Sequence, residues 1–264
     1  MKQLITYIFI AVAILLIVIL IYSLNFASYP ISKENEDWGQ FGAYVGGVAG
    51  VFLTLLTIIL LIKTLDSQNK NAAINQFESS FFELFRLHKE ITDRIIGEVY
   101  IGDEKDTYEG LKFFEKLSEK IKRQYDDNFL SYLKKVWRQD QMKETTEVQQ
   151  EIDKFYNDEI YRGKESELGH YFRSLYHLVK FVNDSEVKNK QRYIDLIQAY
   201  LTDAELHCTF YNGIAIYGRE RFKPLLDEYS FLENIKPKGD IFDKHFEIFY
   251  PKTFLKYKQK PRSV

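Results

Sequence analysis

Three side chains in this 264-residue chain have the types and spacing of a reactive surface. His170, Arg173 and His177 stand at i, i+3 and i+7 within LGHYFRSLYHLVKFV, which puts them on one face of a helix. Two imidazoles can exchange protons near neutral pH, and a guanidinium between them can stabilise the charge that develops on an attacked phosphodiester. The competing role is structural. The segment is dense in aromatic residues, and its polar members can instead hydrogen-bond to neighbouring helices or to tyrosine hydroxyls. His88, His207 and His245 join no comparable pattern. The sequence also lacks a GxxxxGK[ST] phosphate loop, a GxSxG elbow, an HExxH pair and a deaminase-type zinc signature. The single cysteine, Cys208, excludes an internal disulfide and a thiolate-rich zinc site. No cofactor or metal is expected, and enzyme activity is not the primary expectation.

Small helical ribonucleases of the HEPN type pair an Arg with a His. Their usual separation is wider than the three residues between Arg173 and His177 and narrower than the seven between Arg162 and His170. The similarity lies in residue type and not in spacing.

The elements that must position these residues follow from an uneven charge distribution. Residues 4–22 and 41–62 contain no Asp, Glu, Lys or Arg, although the chain holds 36 basic and 38 acidic residues. Each stretch is long enough to cross a hydrocarbon layer of about 30 Å at about 1.5 Å per residue. The first exceeds the roughly 7–15 apolar residues of a signal peptide, and Asn25-Phe26-Ala27-Ser28 is a poor cleavage site, so an uncleaved anchor is expected. Lys2 precedes the first span, and Lys63 and Lys70 follow the second. The loop 23–40 sets one lysine against Glu34, Glu36 and Asp37. Positive charge on the inside then gives a multi-pass hairpin in the bacterial inner membrane with both termini cytoplasmic. Gly42, Gly46 and Gly50 line one face of the second span and allow close helix approach. Their partner is either the first span or a second copy of the chain, so a homo-oligomer is one expectation and the lipid bilayer another.

Outside residues 1–62 the chain is nearly neutral, with 34 basic against 35 acidic residues, which argues against nucleic acid as a partner. No proline occurs between residues 31 and 223 and no glycine between 51 and 96, so the second span is expected to continue as one helix to about Val99. Its extension, 63–99, becomes amphipathic through Phe77, Phe81, Leu84, Phe85, His88, Ile91 and Ile95. Helical faces follow at Leu111, Phe114, Leu117, Ile121 and Tyr125; at Val148, Ile152, Phe155 and Tyr156; and at Leu168, Tyr171, Phe172, Leu175, Leu178, Val179 and Val182. Thr202 and Glu205 form a capping-box signature. The fold class is therefore all-α, a transmembrane hairpin (1–62) followed by a cytoplasmic helical bundle (100–235). Residues 236–264 read as a Pro-containing basic tail, with Pro237, Pro251 and Pro261 and five positive charges between Lys252 and Arg262.

An ordered set of blocks resembles the phage abortive infection proteins of the AbiC type over roughly residues 37–235. The blocks are DWGQFGAYVGGVAGVFLTLLTIILLIKTLDSQNKN, FESSFFELFRLHKEI, LGHYFRSLYHLVKFV, RYIDLIQAYLTDAELHCTFYNGIA and FKPLLDEYSFLENI. The residues that carry the likeness are Gly42, Gly46, Gly47 and Gly50, then Phe77, Phe81 and Phe82, then Tyr171, Arg173, Tyr176 and His177. The resemblance implies bacterial antiviral defence and supplies no catalytic residues. It leaves three mechanisms open. One is a membrane-anchored effector whose helical domain senses infection through an unknown phage or host trigger. The others are an anchored ribonuclease centred on His170, Arg173 and His177, and a non-toxic scaffold that holds a phage or host protein at the membrane.

Overall fold

Aliphatic side chains without a charge from Leu4 to Tyr22 favour a helix, the local structure that satisfies every backbone group within one segment. In the computed structural model, which describes residues 2–28, 30–101, 104–127, 141–236 and 240–259, this helix, α1, spans Lys2–Asn25. The next helix, α2, runs unbroken over Asn35–Arg94. It starts earlier than the apolar run because Glu36 and Asp37 in its first turn complement the positive end of the helix dipole. α1 and α2 are both long and apolar enough to cross a membrane.

The chain divides into two compact units, Met1–Asn75 and Gln76–Val264, and α2 contributes to both. In the first unit, Val18 on α1 and Ala49 on α2 are the buried residues among those described. Aromatic side chains gather at one end of the pair. Tyr22 lies 4.6 Å from Phe26, 4.9 Å from Phe41 and 5.3 Å from Tyr44, ring centre to ring centre. Trp38 donates its indole N–H to the Ser32 carbonyl at 3.0 Å. Towards the other end, Lys63 Nζ donates to the Tyr7 hydroxyl at 3.2 Å. Gly42, Gly46 and Gly47 are exposed. Beyond the local backbone of α2 itself, no atom of the described chain would lie within 4 Å of a Cβ placed at these glycines or at Gly50. Of the two expected partners for this face, α1 does not fill it.

Among the described residues the second unit is helical apart from one hairpin and its connecting turns. α2 ends at Arg94 and not near Val99, because Ile96–Ile101 (β1) pairs antiparallel with Glu104–Glu109 (β2), Ile96 opposite Glu109 and Ile101 opposite Glu104. Gly97 is required by close packing, since a Cβ there would stand 2.4 Å from the Phe113 ring. Gly110, at φ +53°, turns the chain into α3 (Gly110–Asp127) through a left-handed conformation. α3 packs against β1 and against the later helix Asp203–Ile214. Phe113, Phe114, Leu117 and Ile121 of α3 are buried, whereas Leu111, expected on that face, is exposed; the Tyr125 side chain lies outside the described residues.

α4 (Gln141–Phe155) presents Val148 and Ile152 to the core and passes into a single π-helical segment, Tyr156–Tyr161. α5 (Glu165–Asp184) buries the whole predicted stripe from Leu168 to Val182. α6 (Lys190–Tyr200) opens where the Asn189 side chain accepts from the Arg192 amide. α7 (Asp203–Ile214) opens on the full Thr202–Glu205 capping box. α8 covers Phe222–Glu228. The segment expected as a basic tail instead forms α9 (Asp240–Phe249) and α10 (Pro251–Gln259). Phe242, Phe246, Phe249 and Tyr250 are buried there, and the Thr253 amide donates to Asp227 at 3.1 Å. Pro251 is placed at the first turn of α10, where a missing N–H costs nothing.

Candidate functional site

The two faces of α5 have opposite fates. Leu168, Tyr171, Leu175, Leu178 and Val182 lie in the core, and His170, Arg173 and His177 lie on the exposed face. Among the described residues none of the three makes a side-chain hydrogen bond or ion pair, and Arg173 interacts electrostatically with the Tyr161 hydroxyl. His177 packs its ring edge-on to Tyr176 at 5.1 Å. Arg173 reaches back along α5 to Gly169. A Cβ at Gly169 would stand 2.9 Å from the Tyr161 hydroxyl and 3.1 Å from Arg173 Nη1, so glycine leaves a notch shared by the phenol and the guanidinium.

Tyr161 connects this strip to a group that has no signature in the sequence. The rings of Tyr161 and Tyr217 stack at 4.0 Å and 25°. Tyr156 lies behind them, buried, and accepts a hydrogen bond from the Asn212 amide at 2.9 Å. Tyr217 donates its hydroxyl to Asn157 Oδ1 at 2.7 Å. The π-helical segment sets these directions, because one extra residue per turn rotates Tyr161 relative to an α-helical continuation of α4. Burial pushes the Tyr161 and Tyr156 hydroxyls above the usual phenol range, so both stay protonated.

Beneath the strip lies a buried polar network. Tyr171 donates to Glu205 Oε1 at 3.0 Å, and Thr202 donates both its amide and its hydroxyl to Glu205 Oε2 at 2.8 Å. His88 sits 4.8 Å from the Tyr171 ring with Nδ1 3.2 Å from Ser174 Oγ. Desolvation lowers His88 to about 4 and His245 to about 3, so both imidazoles are neutral at pH 7. His207 Nδ1 is 2.8 Å from Ser118 Oγ, a distance that suits a base and a nucleophile. Both are buried, and a buried pair of this kind acts as a core hydrogen bond. Two shallow surface grooves, one around Arg192 and Asp195 on α6 and one around Lys105 and Lys116 between β2 and α3, do not include the α5 strip. Among the described residues no three His, Cys, Asp or Glu side chains gather in a metal-binding arrangement.

The fold and the strip define a helical domain on a chain that opens with two apolar helices. Within it, residues 163–239 match the family model described as "Putative phage abortive infection protein". The matched stretch holds α5 to α8, including the strip, the Thr202–Glu205 cap and Tyr217, and is less than a third of the chain. No curated protein and no solved structure matches the chain.

Proposed function

We propose that the protein is a membrane-anchored effector of bacterial defence against phage. The helical domain responds to infection, and the two apolar helices transmit or execute the response. The observation that carries the role is the match of residues 163–239 to the abortive infection family. Membrane anchoring is supported by the character of the first unit. It has two apolar helices, an aromatic group at one end where an interfacial belt belongs, and Lys63 towards the other. Lys63 falls on the side that the positive-inside rule makes cytoplasmic. Since α2 supplies both an apolar span and a core helix of the domain, a change in domain packing has a covalent path to the bilayer.

The open glycine face of α2 suits self-association of that span in lipid. A Cβ at Gly46 or Gly50 meets no other part of the chain, so larger side chains there chiefly obstruct a second copy. We expect Gly46→Leu, Gly50→Leu to abolish crosslinked oligomers and phage protection together; retention of both removes the glycine face from the mechanism. A second reading, an anchored ribonuclease, is favoured by the uncommitted state of His170, Arg173 and His177. Following membrane potential and RNA integrity together during infection separates the two. A fall in potential before RNA cleavage is the expected order. RNA cleavage first, with protection lost in an Arg173→Ala, His177→Ala double variant, would establish the ribonuclease.

A further inference from the structure

Three properties meet at Tyr217. It is 49% exposed although large and aromatic. One face of its ring is covered by Tyr161 at 4.0 Å, which leaves the other face toward solvent. Its hydroxyl is tied to Asn157 at 2.7 Å, which fixes the ring plane. A ring held in this way loses little freedom when a planar ligand stacks on it. Arg173 adds a cation nearby, its guanidinium in the Gly169 notch beside the Tyr161 hydroxyl. Arg219 is committed to Asp153 and Arg86 to Glu83 and Glu90, whereas Arg173, the arginine beside Tyr161, has no carboxylate partner among the described residues. The π-helical segment that orients Tyr161 and Asn157 is a form concentrated at functional sites.

We propose that this platform binds a nucleotide, its base stacked on the open face of Tyr217 and its phosphate held by Arg173. Stacking on tyrosine is tolerant of base identity, and a guanidinium is the side chain best matched to a phosphate. The near-neutral charge of the domain is compatible with this, because the affinity comes from one stack and one ion pair and not from a broad positive field. The same chemistry is offered by a free nucleotide and by a single strand of RNA. Neither source requires cleavage or membrane action, so the proposal goes beyond the effector reading and fails separately from it.

The test uses the full chain in detergent micelles, with adenosine monophosphate and a fluorescent single-stranded oligoribonucleotide as probes. We expect saturable binding that Tyr217→Ala weakens roughly five- to a hundredfold, the range for losing one stacked base. Tyr217→Trp should retain affinity, and the new indole should be quenched on binding. Arg173→Ala should weaken binding and flatten its dependence on salt. Competition by adenosine monophosphate assigns the site to a free nucleotide, and binding of the oligonucleotide alone assigns it to a strand. Absence of saturable binding by the wild-type chain, or equal binding by Tyr217→Ala with an unchanged circular dichroism spectrum, overturns the proposal.

Discussion

Acid should loosen the helical domain through two buried histidines. A histidine in the unfolded chain takes up a proton near pH 6.5, whereas His88 in the fold does so near 4 and His245 near 3. Between those values the unfolded state holds more protons than the native one, so stability falls as pH falls. The loss begins below about pH 6.5, is complete for His88 below about 4 and continues for His245 to about 3. At pH 5 each imidazole costs about 2 kcal/mol relative to pH 7, and the pair about 4 kcal/mol, a large share of the roughly 5–15 kcal/mol that holds a domain together. Most carboxylates remain ionised over this window, which isolates the histidine contribution. The assay is urea denaturation of the full chain in detergent at pH 7, 6 and 5. His88→Asn removes one titrating group and leaves a polar atom near the position of Nδ1, 3.2 Å from Ser174 Oγ. The variant should be less stable at pH 7 and should lose only about half as much stability between pH 7 and pH 5 as the wild type. An equal loss in both proteins would refute the reasoning and place the acid sensitivity elsewhere.

Two further substitutions test the core around the strip. Gly213→Ala places a methyl 2.2 Å from the hydroxyl of buried Tyr250 and 2.9 Å from Leu226, so it should cost about 1–3 kcal/mol in urea denaturation. Glu205→Ala leaves the Tyr171 hydroxyl and the Thr202 amide without an acceptor and should cost about 2–4 kcal/mol, with a smaller loss for Glu205→Gln, which keeps one acceptor oxygen.

The helical faces were legible wherever apolar residues recur at three and four. The stripe from Leu168 to Val182 and the Thr202–Glu205 cap are found as read, because one periodicity or one hydrogen-bond pattern decides each. The hairpin was not legible. In IGEVYI burial alternates, with Gly97, Val99 and Ile101 turned inward, but the outward positions include Ile96 and Tyr100, so residue type does not alternate with it. The C-terminal helices were masked by their proline and lysine content. Counting prolines and lysines hid the spacing of Phe242, Phe246, Phe249 and Tyr250, although Pro251 marks a helix start as readily as a break.

The α5 strip shows the sharper limit of sequence reasoning. Spacing along one helix put His170, Arg173 and His177 together, and they do share the exposed face. It had no means of finding their neighbours, because Tyr161 and Tyr217 are 56 positions apart and meet only through a π-helical register. Gly169 was the available clue. A glycine in the first turns of a strongly apolar helix carries a propensity cost of about 1 kcal/mol against alanine, which is retained where a side chain would collide. Here it would collide with the Tyr161 phenol and the Arg173 guanidinium, the two groups that border the tyrosine platform. Gly169 is itself buried, so the missing side chain lets Tyr161 and Arg173 close over the α5 backbone, a contact between elements that no periodicity along α5 encodes.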